Sequence, residues 1–230
     1  MRTAIDPAIE HIVVRAADSE RVRSDTASVV ERADGRWMSD TTPILLQLES
    51  ELRHPDILPG NPVVRFIAGL MEDYADEWLW RSAMHYRWSY AHDRELLSSI
   101  IADEILKDAS LPRFLRRRVI QTRQFRGFVK GDGVRPQPRD HVEAGYFAAL
   151  DNMTRMLGNR DFLLGDSPSL ADFGFMAPRL RHFGHDPTPA KIMRSRAPSV
   201  FNWLVRVWSA KKPSAAPAFL EQIPADAGPM

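Results

Sequence analysis

Val142, Tyr146, Leu150, Met153 and Leu157 recur at steps of four and three residues, and Gly158 follows them. That spacing is one face of an α-helix ended by a glycine cap, and it excludes a strand there. Phe66, Leu70, Tyr74 and Trp78 repeat the pattern, and Trp88 prolongs it into a long first helix. Further helices are predicted over 94–106, over 111–128 up to the KGDG stretch, after Ser169 and over 198–208. The chain beyond residue 62 therefore reads as a bundle of five or six helices.

The first fifty residues differ. Ile9, Ile12, Val13 and Val14 make a short apolar run, and Val29 and Val30 make another. Ala33 to Arg36 reads ADGR, and Asp-Gly favours a tight turn with positive φ. Trp37 and Met38 then return as the second strand of a hairpin. Next, Thr42 reads as an N-cap and Pro43 as the first helical residue, with Ile44, Leu45 and Leu48 on one apolar face. HPDILPGNP (His54 to Pro62) reads as a linker. The expected division is 1–53 as a partial α/β unit, 54–62 as linker, 63–212 as an all-α unit and 213–230 as a flexible tail rich in Pro and Ala.

Some chemistries fall away on composition. The chain has no cysteine, which removes disulfides, thiolate metal sites and a cysteine nucleophile. Its 31 basic and 30 acidic side chains leave a net charge of +1, which gives no general attraction to nucleic acid or membrane. No apolar run reaches the ~20 residues that span a bilayer. Asp6 and Glu10 interrupt the N-terminus, so it does not read as a signal peptide and a cytoplasmic protein is expected.

FLLGDSPSLADFGF (Phe162 to Phe175) is similar to the signature of the helical C-terminal domain of cytosolic glutathione transferases. Ser169 caps a helix there, and Asp172 reaches back to the cap, a structural box and not a catalytic one. DGRWMSDTTPILLQLE (Asp34 to Glu49) resembles the end of that family's thioredoxin-like domain. LMEDYADEW and HYRW resemble the opening helix of the C-terminal domain in a bacterial branch, and APSVFNWLVRVW resembles its close. The resemblance runs from about Val29 to Trp208. It implies an α+β, mostly α fold: a truncated thioredoxin-like unit followed by an all-α bundle.

By that resemblance Asp40 and Thr41 hold the γ-glutamyl end of glutathione, Thr41 and the helix start taking the carboxylate and Asp40 the ammonium. The alternative is that they only cap the helix. Glutathione is then a co-substrate rather than a cofactor, its partner a small electrophile, and the protein a homodimer. The family's catalytic Ser, Tyr or Cys follows a first strand. If Ile9 to Arg15 is the family's second strand, that strand, the following helix and the catalytic residue are missing, and the catalytic residue here is unknown. Ser24 and Ser28 are the nearest hydroxyls. Val29 stands where the family has a cis-proline. Two functions stay open: a glutathione-transferase-like enzyme, or a non-catalytic binding or dimerisation module of that fold.

Tyr74, Tyr86, Trp88 and Tyr90 either line the apolar substrate cleft of such a protein or belong to its core. Glu72, Asp73, Asp76 and Glu77 form an acidic helix patch with His85 further along, read as a solvated face and not as a metal site. Arg113, Arg116, Arg117, Arg118, Arg123, Arg126 and Lys130 make a basic helix, read as a solvated face or as a partner for the acidic helix of this or another subunit. His182 and His185 lie near Asp186 as a conceivable base–carboxylate pair.

Overall fold

The computed structural model describes residues 29–32, 34–51, 56–131, 139–211 and 216–227. The chain divides into two compact units between Asp56 and Ile57. The strand expected at Ile9 to Arg15 and the hydroxyls of Ser24 and Ser28 lie outside the described residues.

In the first unit β1 (Val29–Glu31) and β2 (Trp37–Ser39) pair antiparallel, with Val30 opposite Met38. Gly35 closes the turn at φ +80, and its N–H donates to the Arg32 carbonyl at 2.9 Å. A side chain at that φ would be strained, which is why Asp-Gly is the turn signal. Helix α1 (Thr41–Glu51) follows, with Ile44 buried. Arg32 fastens the hairpin to the far end of α1, placing both terminal nitrogens 2.7 Å from the Glu51 oxygens. Hydrogen bonding from Arg32 holds the Glu51 carboxyl down at about 2.

The second unit is helical. Helix α2 (Pro62–Asp73) passes through a π-helical turn, Tyr74–Trp78, into α3 (Leu79–Ser89). There follow α4 (Ala91–Ile105), α5 (Arg113–Gln124) with a π-helical turn to Lys130, and α6 (Arg139–Met156). Then come α7 (Leu170–Pro178), a π-helical turn Arg179–Phe183, α8 (Pro187–Arg196) and α9 (Pro198–Ser209). Pro178 lacks the N–H that an α-helix would use at that point, and the ladder widens directly after it. The core gathers α2, α3, α6, α7 and α9 around Met71, Leu79, Tyr146, Leu150, Phe175 and Trp203, all at most 2% exposed.

Four expectations need correction. Along α2 and the π-helical turn after it the large stripe faces outward: Phe66 is 65% and Trp78 57% exposed, while Val64, Ala68, Met71 and Ala75, with Leu79 at the start of α3, are buried. Both stripes have helical spacing, and the smaller one permits the close approach of α7. Gly174 of α7 lies so near α2 that a Cβ there would come within 2.8 Å of Glu72 Cα. The end of the expected linker belongs to the bundle. Asn61 caps α2 through its Oδ1, which accepts from Val63 and Val64 N–H at 2.9 and 3.3 Å. The Ile57 carbonyl accepts from Leu170 N–H at 2.9 Å. Helix α8 is absent from the expected set of helices, and it forms because Pro187 and Pro189 occupy its first turn, where no N–H is needed. The tail expected to be flexible is docked over 216–227. Leu220 N–H donates to Leu164 at 2.9 Å, Arg160 pairs with Asp226 at 2.7 Å, and Ala227 is buried.

Candidate functional site

At the hairpin–helix junction the helix begins earlier than the sequence had placed it. Asp40, not Thr42, is the capping position: its carbonyl accepts from Ile44 N–H at 3.2 Å. Pro43 is the third helical residue, where the N–H it lacks would have no intrahelical acceptor. Asp40 adopts φ +77, the one positive φ at a described non-glycine residue. For an L-residue that conformation costs about 1 kcal/mol. It turns the chain sharply out of β2, and the exposed Asp40 carboxyl stands beside the partly buried Thr41 at the positive end of α1. The arrangement gathers backbone N–H groups, a hydroxyl and an acid at one helix start.

In the helical unit Tyr86 and Trp88 are core, not cleft. They are 0% and 1% exposed, with Tyr86 against Tyr146 at 5.3 Å between ring centroids. Burial raises the Tyr86 phenol well above its usual range. Tyr90 is half-buried, stacks on Tyr86 at 5.5 Å and donates its hydroxyl to Glu143 at 2.9 Å. Glu143 also takes His85 Nε2 at 2.8 Å and Arg139 Nε at 3.2 Å. Burial opposes its charge, but these donors outweigh it and hold its carboxyl below the ordinary value. Ser89 lies 3.1 Å from His85 Nδ1, so the ring is held from both sides. This polar knot joins α3 to α6. In the sequence His85 stands out only beside the acidic patch, and nothing local joins it to Glu143, which lies 58 residues away.

Ser169 and Asp172 form the box that their spacing indicates. Asp172 accepts from Ser169 N–H at 2.9 Å and Ser169 Oγ at 2.7 Å, and also from Leu163 N–H at 2.9 Å and Trp203 Nε1 at 2.8 Å. Its burial is complete and pushes the carboxyl up against the pull of those donors. Asp186 is not paired with a histidine: Arg87 grips it with nitrogens at 2.7 and 2.8 Å. His185 is exposed and contacts the Leu180 carbonyl through Nδ1, while His182 packs edge-on against Trp80 at 5.5 Å. Asp93 of α4 takes the N–H of Thr188 at 2.8 Å and so caps α8 from another helix. Arg179 is wholly buried with its guanidinium 4.6 Å over the Phe175 ring, and burial brings it down to about 10. Among the described residues no group of acids and histidines is arranged to hold a metal ion, and no helix is long and apolar enough to cross a membrane.

No family model matches the chain, and no curated protein matches it in sequence. Solved structures are similar in fold. A beta-etherase, LigF, from Sphingobium sp. strain SYK-6 aligns over 78% of this chain and 72% of its own, at 19% identity and a TM-score of 0.50. A glutathione S-transferase from Rhodospirillum rubrum aligns over 83% and 73%, at 16% identity and 0.44. Another, from Methylobacterium radiotolerans in complex with glutathione sulfonate, aligns over 79% and 66%, at 20% identity and 0.42. The chain has a glutathione-transferase fold. It is mostly helical, with a small α/β front.

Proposed function

We propose that this chain binds glutathione at the start of α1 and uses its thiolate against a small electrophile. The observation that carries the reading is Asp40 at φ +77, beside Thr41 and the N–H groups of α1. A left-handed conformation at an aspartate is a local cost, and such costs concentrate where a ligand is gripped. The fold supports the reading by analogy, since fold alone does not fix chemistry. In the reaction the thiolate sulfur bonds to an electrophilic carbon, and the electron pair leaves with the displaced group or passes to the acceptor carbon chain. LigF is a beta-etherase, so ethers are the electrophiles to screen first. A thioredoxin-like front unit, a homodimer and a cytoplasmic location belong to the same reading.

Calorimetric titration with glutathione tests it. Binding at millimolar concentration or tighter is expected, weakened about tenfold in Asp40→Asn, which tolerates the same φ but loses the charge. A folded protein that binds no glutathione overturns the proposal. Binding without turnover across a panel of ethers and other electrophiles identifies the non-catalytic module instead.

A further inference from the structure

Helix α5 and its π-helical turn carry Arg113, Arg116, Arg117, Arg118, Arg123, Arg126 and Lys130, and no acid occurs from 109 to 131. Two of these cations are engaged by α4 and the loop that follows it: Arg113 with Asp103, and Arg116 with the Leu106 carbonyl at 2.9 Å. Among the described residues Arg118, Arg126 and Lys130 have no ion-pair partner. These three and Arg94 of α4 line one pocket of about 310 Å³, with Thr122 as a further donor. No carboxylate lines it. The mutual repulsion of four cations at one concavity, screened by water and salt at the exposed positions, is relieved when an anion joins them.

A second groove, of about 510 Å³, opens beside the first and shares Arg118, Thr122 and Arg126 with it. Its floor is Leu111, Leu115 and Val119, each 37–48% exposed. Within the lining of this groove Leu111, Leu115 and Val119 lie toward the start of α5 and Thr122, Arg123 and Arg126 toward its end, with Arg118 between them. A helix lying on a membrane segregates apolar and basic residues around its axis instead. The order along α5 fits a molecule lying lengthwise, with its anionic head at the C-terminal half and its hydrocarbon body toward Leu111. A single carboxylate would neutralise only part of four cations, whereas a diphosphate presents several charges and bidentate acceptors for arginine.

We propose that the α4–α5 pocket and groove bind an organic diphosphate with a hydrocarbon tail, at a site independent of the glutathione reading. Calorimetry at fixed ionic strength with geranyl diphosphate, pyrophosphate and geraniol tests this. Geranyl diphosphate should bind at least tenfold more tightly than pyrophosphate, and geraniol not measurably. The double variant Arg118→Glu/Arg126→Glu, both positions being exposed, should weaken both phosphates at least tenfold. Val119→Asn should bring geranyl diphosphate to the affinity of pyrophosphate and leave pyrophosphate unchanged. Undiminished binding in the folded double variant overturns the proposal. So does geraniol binding as tightly as its diphosphate. Tighter association with phosphatidylglycerol vesicles than with geranyl diphosphate also overturns it and makes this face a membrane-docking surface.

Discussion

Asp172 gathers four donors from three places: the cap of α7, the turn at Leu163 and the indole of Trp203 on α9. Asp172→Ala would strand those donors in a fully buried site. Each buried unsatisfied group costs roughly 1–3 kcal/mol, so a loss of about 3–5 kcal/mol is expected after partial relaxation, read as a lower urea midpoint with the slope unchanged. Ser169→Ala removes one donor and should cost about 1 kcal/mol. His182 shows what burial does to a charge. Burial, reinforced by Arg87 and Arg181, holds its imidazole at about 3 against 6.5 for the free group. Below pH 6.5 the unfolded chain binds a proton that the folded chain refuses until about pH 3. Stability due to neutral His182 is therefore full above about pH 6.5 and is lost as pH falls toward 3. Melting curves from pH 7.5 to 4.5 should show the fall, and His182→Gln should flatten it. An unchanged slope in that variant would place the acid sensitivity elsewhere.

The helices differ in how openly they declare themselves. Helix α6 was legible because Tyr146, Leu150 and Met153, apolar residues at helical spacing, are also buried ones. Helix α2 declared itself as a helix but not its inner face, because close packing selects small residues and leaves Phe66 and Leu70 outside. Helix α8 was hidden by two prolines, and its cap, Asp93, lies 95 residues away. The Asp40–Thr41 junction was legible as a motif, but not as a left-handed residue, since φ there is set by the hairpin and helix together. His85 with Glu143, and Arg87 with Asp186, could not be paired from one sequence because nothing local joins them. The contact of α7 with α2 supplies a test at this scale. Gly174→Ala should cost about 1–3 kcal/mol, since its Cβ would meet Glu72 Cα at 2.8 Å as well as that residue's Cγ at 2.7 Å, and a side-chain shift alone would not relieve the main-chain contact. A neutral substitution would mean that the two helices separate cheaply.

At the scale of the whole molecule the two units hold their shape by unequal means. The helical unit has a continuous apolar core, with Tyr146, Leu163 and Trp203 fully buried, and its tail is pinned to Gly165 and Arg160. In the front unit α1 buries Ile44, and the Arg32–Glu51 pair that ties the hairpin to it is solvent-exposed, where such pairs contribute little. Local opening is therefore far easier in the front unit than in α6 or α7. Native-state hydrogen exchange should find amides of α1 exchanging by low-energy local openings, and those of α6 and α7 only near global unfolding. A ligand held at the start of α1 binds the closed form and not the open one, so it must suppress those openings. Addition of glutathione should slow exchange at residues 44–48 by about the factor 1 + [glutathione]/Kd, and leave α6 unchanged. Equal slowing in both units would mean that the two open together. Binding by calorimetry without slowing in α1 would remove the ligand from this junction, and with it the role assigned to Asp40 and Thr41.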